Sequence, residues 1–545
     1  MNRPFDLDAA RRRSRCVIAE PASYAFTTAA QREWLTPRGF SLLQSAIVDG
    51  HGLGEDLAHE VARALRGWAA SRGATQVAFR VHALAGEPAE YRLELPRLTG
   101  QDLVGGAHAT PARGRLTWDP ASAAFIRVDG RGATLCLPSV LASADGEALD
   151  HRLPLMRSED ALAAVAARAL RLLGGGARER VLPTVALSRA FELVDAQPGE
   201  PRGVAERVSG CMIEAERALD RVAAGVRIGG QVLTVLPAAT GLAADRLTLA
   251  LEVLADVAPR YGLTLRAGAA GPDAWSLMAG AHGNLLAPGS TPRAHLRFAF
   301  FAAAVVRAFA AHPGLVGRLD LGPDLDAVLA ALARGELFAG SDEERGCGAP
   351  PLPRVAGRAT AYGFSGAGFA LGALDPFTST VVNTIVADAI IEQVRSVQAW
   401  LTAGEDFEPA VREVIADAYR RHRHAGRTLV PDTATRVFAE HSVMSARELE
   451  ARRAARLRDE AREAVERARA YVAPAAILRR ARLSPPRTRE ASRQAAEIDE
   501  ALRTVQAASR ALDAIVAAGD TSAVPPLLAD LRAAAQRLTP ARTES

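Results

Sequence analysis

The side chains that could do chemistry are few, and most are poorly spaced for it. All 66 basic residues among the 545 are arginines, which excludes a Schiff-base lysine and the lysine of a common phosphate-binding loop. Asp320, Asp324 and Asp326 form a carboxylate cluster that could hold a cation. Asp320, Pro323 and Asp324 better suit the start of a helix, where acids and proline are favoured. His422 and His424 stand two apart, so on a helix their rings diverge and cannot share a metal as an i, i+4 pair would. Cys16, Cys136, Cys211 and Cys347 are too scattered for ligand spacing or a disulfide framework and read as reduced thiols. Gly174-Gly175-Gly176 follows a helical pattern instead of opening one, unlike a phosphate loop. No serine or cysteine stands in a recognisable nucleophile context.

Any site needs a core to position it, and a chain 49% hydrophobic over 545 residues supplies enough for two to four domains. A net charge of +4 is slight for this length and gives a nucleic-acid partner little support. The acidic N-terminus lacks the apolar stretch of a signal peptide, and residues 298–311 are apolar but too short to span a bilayer and include Arg307. The expectation is a soluble, cytoplasmic protein with no membrane partner.

Residues 39–72 read as amphipathic helices, 76–84 as a strand, and 116–138 as short strands broken by Asp119-Pro120 and by the turn at 129–132. A helix is expected over 158–173, opened by Ser-Glu-Asp, then a strand over 181–194 and helices over 203–224, 243–261 and 292–312. Residues 361–374 alternate like a buried strand, and 383–401 form a strong helix. Beyond 431 the chain turns to arginine- and glutamate-rich helices over 445–471 and around Ile498, Leu502, Val505, Leu512 and Val516, with a last short helix near Leu527. The arginines of segment 474–493 read as a solvated helix face.

Several stretches, in order along almost the whole chain, resemble type III glutamine synthetases. They are Gln31-Arg-Glu-Trp-Leu, Gly67-Trp68-Ala-Ala-Ser-Arg-Gly73, Trp118-Asp119-Pro120, Thr134-Leu-Cys-Leu-Pro138, Asp145-Gly146-Glu147-Ala148-Leu149-Asp150 and Pro154-Leu-Met-Arg157-Ser158. Trp275-Ser276-Leu277, Asn284-Leu-Leu-Ala-Pro-Gly289, Val382-Asn383-Thr-Ile-Val-Ala-Asp388, Val443-Met-Ser-Ala-Arg-Glu-Leu-Glu450 and Ala473-Pro-Ala-Ala476 follow. The resemblance implies an α+β fold: a β-grasp-like N-terminal domain in residues 1–157, a catalytic-type domain with a curved antiparallel sheet in 158–440, and an α-helical extension in 441–545. It also implies rings of subunits, with the active site where the N-terminal domain of one chain meets the sheet of the next.

The chemistry the resemblance implies depends on charges that this sequence lacks. The family's Glu-x-Glu metal ligands map, with Leu193-Val-Asp195 as anchor, onto Ser188 and Ala190, neither of which can hold a hard divalent cation as a carboxylate does. Glu192 shares their strand parity and could rescue one ligand, not two. Ala370 and Gly372 fall where the family has a metal-binding glutamate and a phosphate-binding arginine, Pro272 falls at a glutamate-holding histidine, and Asp320 falls where an arginine approaches the nucleotide. The expected function is therefore that of a pseudoenzyme of the family, acting through homo-oligomer assembly in nitrogen metabolism and with an active glutamine synthetase as a candidate partner. No cofactor is expected. The alternative is an active ATP-dependent glutamate–ammonia ligase, or a divergent ligase with relocated site residues, and only this alternative requires Mg, Mn and ATP.

Overall fold

The computed structural model describes residues 22–538 apart from 51, 83, 85–88, 106–113, 130–131, 177–178, 197–202, 272, 281, 288–290, 313–318, 320, 334–362, 365–367, 425–432, 483–487 and 519–520. Three helices come first: α1 (Thr28–Trp34), α2 (Pro37–Asp49) and α3 (Glu55–Ala70). The Thr36 side chain accepts from the Gly39 amide at 3.0 Å, with Pro37 opening α2, an N-cap that satisfies one of the orphan donors of a helix start. α3 buries Val61, Leu65 and Trp68 on one face.

That face covers a five-stranded sheet of β1 (Ala74–Val81), β2 (Ala89–Glu94), β3 (Arg115–Trp118), β4 (Phe125–Asp129) and β5 (Gly132–Ala142). The order is β2-β1-β5-β3, β4 also pairs with β5, and β1 runs parallel to β5 while the other pairings are antiparallel. β5 is central and almost wholly buried, which accounts for the unbroken apolar character of Leu135, Cys136 and Leu137.

The next long helix, α4, spans Arg152–Leu172, so it starts six residues before the Ser-Glu-Asp expected to open it. The Asp150 carboxylate accepts from the Leu153 amide at 3.0 Å and starts the first turn instead. Ser158 is fully buried inside the helix and donates to the Leu155 carbonyl at 2.6 Å.

A second, eight-stranded sheet comprises β6 (Val181–Asp195), β7 (Val226–Gly229), β8 (Val232–Ala239), β9 (Leu263–Ala270), β10 (Asp273–Ala279), β11 (Gly283–Asn284), β12 (Gly363–Phe364) and β13 (Phe369–Leu371). All of its pairings are antiparallel, in the order β12-β13-β10-β6-β8-β7, with β9 also on β6 and β11 on β10. The strand expected over 361–374 is thus two short strands among the described residues. Gly368 lies so close to the next strand that a Cβ there would sit 2.6 Å from the Trp275 carbonyl oxygen.

Helices α5 (Val204–Arg221), α6 (Thr240–Val257), α7 (Pro292–Ala311), α8 (Gly322–Ala333), α9 (Pro376–Thr402), α10 (Phe407–His424) and α11 (Thr433–Glu440) complete this unit. α7 reaches 20 residues, longer than the apolar run suggested, and it is long and apolar enough to cross a bilayer. Here it is a core helix: residues 298–306 are buried all round, and Arg307 is neutralised by Glu392 (2.7 Å) and Asp417 (2.8 Å). α9 begins at Pro376, seven residues before the expected start, because the Asp375 carboxylate caps it by accepting from the Thr378 amide at 2.6 Å.

A second compact unit begins at Ala446. It contains α12 (Ala446–Arg467), a π turn at Ala468–Val472, α13 (Ala473–Arg482), α14 (Arg489–Ala518) and α15 (Val524–Leu538). Ile498, Val505 and Leu512 of α14 pack with Val465, Leu528 and Leu531 in a core of their own. The last helix is 15 residues, longer than the short element expected.

Candidate functional site

β6 organises the candidate site. Its burial alternates: Val181, Pro183, Val185, Leu187, Phe191 and Leu193 face the helix-covered side, while Thr184, Ala186, Ser188, Ala190 and Glu192 share the open face. The in-register row Ala186–Ala274–Ala370 carries that face across β10 to β13, so Ser188, Ala190 and Ala370 are brought onto one surface, with Gly372 just past the end of β13. Ser276 and Met278 of β10 and Thr234 and Leu236 of β8 continue it. Pro272 and Asp320 lie outside the described residues. The end of β9 and the glycine after it press against the same strand: a Cβ on Gly268 would sit 2.8 Å from the Ala190 carbonyl, and one on Gly271 would lie 3.4 Å from the Ser188 side chain.

A cation that bridges phosphates needs several charged or carbonyl oxygens. Ser188, Ala190 and Ala370 together offer one neutral hydroxyl, which does not fit such an ion. Glu192 is the carboxylate on this stretch of β6, and its register partner across the sheet is Arg266 of β9, both exposed.

Charge is concentrated instead on the covered side. Asp273, at the start of β10 and fully buried, accepts from both the Arg189 guanidinium and the Ser188 amide at 2.7 Å. It also accepts from the Leu374 amide at 2.7 Å, while Arg189 donates to the Leu374 carbonyl at 3.2 Å. The pair therefore ties β6, β10 and the segment leading into α9, with every carboxylate oxygen engaged. Deeper in, Trp275 Nε1 donates to Asn383 Oδ1 at 3.0 Å, and Asn383 Nδ2 donates to Ser158 at 3.2 Å and to Thr240 at 3.4 Å. Thr240 and the Gly241 amide (2.8 Å) both donate to Glu159. Burial pushes this carboxyl up to about 7, against the lowering influence of those two donors.

Other candidates find structural roles. Asp326 accepts from the Tyr419 hydroxyl at 3.0 Å, and among the described residues no group of three metal-ligating side chains gathers. His422 is buried on α10. Burial raises the Cys136 and Cys211 thiols to about 11 and about 12, far from nucleophilic thiolates.

A family model described as glutamine synthetase type III N terminal matches residues 104–158. A type-3 glutamine synthetase of Dictyostelium discoideum is 26% identical over 462 residues, 66% of this chain and 63% of that protein. The chain is similar to type III glutamine synthetases. A glutamine synthetase of Bacteroides fragilis (strain YCH46) is 30% identical over 166 residues, 26% of this chain and 22% of the relative. The chain thus spans less than two thirds of the length of either curated relative. Solved structures described as "Apo GmaS without ligand" and "Crystal structure of novel glutamine synthase homolog" match 68% of this chain and 98% of theirs. Their TM-scores are 0.40 and 0.36, at 14% and 19% identity.

The segment matched to the type III N-terminal model holds a buried charge cluster that motif reading missed. Arg152, 3% exposed, pairs with Asp119 and with Asp245 of α6, and it donates to Ser122 at 2.8 Å. Ser122 and His82 each reach Asp245 at 2.7 Å. Burial alone would raise Asp245, but the Arg152 guanidinium and His82 overcome it and hold the carboxyl below the usual range. Asp119 was visible as part of a type III motif. The second carboxylate on Arg152, Asp245, lies 93 positions from it on α6, in a stretch that resembles no motif, so the sequence carried no signal for that pair.

Proposed function

We propose that this chain is a non-catalytic member of the type III glutamine synthetase family that works in the cytoplasm as a scaffold, assembling with itself and with an active glutamine synthetase. The observation that carries the reading is the open face of the eight-stranded sheet, on which the uncharged residues Ser188, Ala190 and Ala370 share one surface. Those are the positions at which the family resemblance calls for metal-binding carboxylates. Glutamine synthesis through an acyl phosphate needs metal-bound ATP and cationic stabilisation of the transferring phosphoryl group. A serine hydroxyl and two methyl groups supply neither. The framework residues Trp275, Asn383 and Asp119 meanwhile keep buried partners, so the scaffold has its hydrogen bonds.

A second reading, a ligase with relocated ligands, draws on Glu192, whose exposed carboxylate stands on the same face. Its cross-strand partner Arg266 competes for it. Purified protein incubated with ATP, glutamate, ammonium and magnesium or manganese, beside an active type III enzyme, is expected to release no phosphate above the uncatalysed rate. Release that is abolished by Glu192→Gln would replace the scaffold reading with the ligase reading.

A further inference from the structure

Two surfaces outside the sheet face complement each other. On the helical unit, α13 buries little beyond Ala476 and leaves the adjacent Ile477 and Leu478 54% and 65% exposed. Arg480 is held by Asp499 at 2.9 Å, whereas Arg479 and Arg482 are exposed without a carboxylate partner among the described residues. The helix thus presents an apolar pair flanked by two unpaired guanidinium groups.

On the other unit, α2 and the start of α3 border a cleft of about 550 Å³. Leu42 and Leu57 give it an apolar wall, and Leu42 is 47% exposed. Glu55, Asp56 and Glu60 put three carboxylates around it against the single cation of Arg38. Glu60 is partly spent on the Thr36 amide (2.8 Å) and Glu55 on Gln101 (2.6 Å), which leaves Asp56 as the carboxylate with no partner among the described residues.

We propose that the α13 tip of one copy of this chain docks into the α2–α3 cleft of a second copy, Ile477 and Leu478 meeting Leu42 and Leu57 while Arg479 and Arg482 meet Asp56 and Glu55. The occupant is fixed by complementarity: the cleft is acidic with an apolar wall, and the tip is apolar with basic flanks. Both surfaces come in equal number from every chain. Because the patches differ, the contact is heterologous, and head-to-tail repetition closes into a ring or extends as a filament. The inference rests on the proposed role in assembly and gives that role an interface.

The test is sedimentation of the full chain, with circular dichroism to confirm folding. Wild type is expected to self-associate, and Arg479→Glu/Arg482→Glu and Glu55→Arg/Asp56→Arg are each expected to weaken association by roughly tenfold or more. Mixing the two variants, or combining all four substitutions in one chain, is expected to restore it, because a reversed tip then meets a reversed cleft. Association that no variant disturbs would overturn this interface and leave the assembly reading standing. A wild type that stays monomeric at tens of micromolar would overturn both. Monomers that bind phosphatidylglycerol vesicles only while Arg479 and Arg482 are intact would assign the tip to an anionic lipid surface instead. Phosphate release bears on the scaffold reading alone.

Discussion

Arg189 and Asp273 are charged residues beside the candidate site that are engaged with each other and with the backbone. Asp273 is fully buried, and its carboxylate balances one guanidinium and two amides. Truncating it to alanine would strand a largely buried cation and two amide donors, so Asp273→Ala is expected to cost about 3–5 kcal/mol in urea denaturation. A loss under about 1 kcal/mol would show that solvent reaches the pair. At Trp275, replacement by phenylalanine strips the donor from Asn383 Oδ1 and also removes part of a fully buried ring system; a cost of at least about 1–3 kcal/mol is expected, read from the shift in the denaturation midpoint. At this scale the sequence was half legible. Trp275 and Asn383 could be picked out as framework residues, but their hydrogen bond spans 108 positions, and nothing local in Asp273 shows that it pairs with Arg189. Strand alternation placed Ser188 and Ala190 correctly on one face because period two is a local property.

Among elements, the contact of α4, the start of α6 and α9 beneath the sheet carries a pH dependence. Glu159 has its carboxyl pushed up to about 7 from 4.5, so between those values the folded state holds a proton that the unfolded chain has released. Stability from this group is therefore complete below about pH 4.5 and declines as pH rises through 7, by about 3 kcal/mol in all. Asp150, raised to about 6 by burial, adds a loss of the same sign over a lower window. Asp245 acts oppositely, contributing stability at neutral pH that fades in acid as its carboxylate is protonated. Glu159→Gln keeps an oxygen to accept from Thr240 and Gly241, so urea midpoints across pH 5–8 are expected to flatten in that variant. An unchanged slope would mean that Glu159 is charged throughout. Element type was readable here and element starts were not. α4 and α9 begin earlier than their apolar periodicity indicates because Asp150 and Asp375 supply the first-turn acceptors, and such caps are single residues whose effect depends on how the chain enters the helix.

Over the whole molecule, the change to arginine- and glutamate-rich helices marked the second unit in the sequence, and the stripe from Ile498 to Val516 marked its core. The reason is physical: a helix that packs on its neighbours repeats its apolar positions at a fixed period, whereas a sheet of eight strands assembles from pairings far apart in sequence. That unit's core joins α12, α14 and α15 through their own side chains, with Leu512 and Ala534 fully buried. A segment whose apolar residues satisfy one another should fold without the rest of the chain, so residues 446–545 expressed alone are expected to be helical and to melt cooperatively. Leu512→Ala in that fragment is expected to lose about 2–5 kcal/mol, since it leaves a cavity at the centre of a small core that has few other contacts to share the strain. A fragment that is helical but melts without cooperativity, and that Leu512→Ala leaves unchanged, would mean that the helices gain their packing only from the preceding unit.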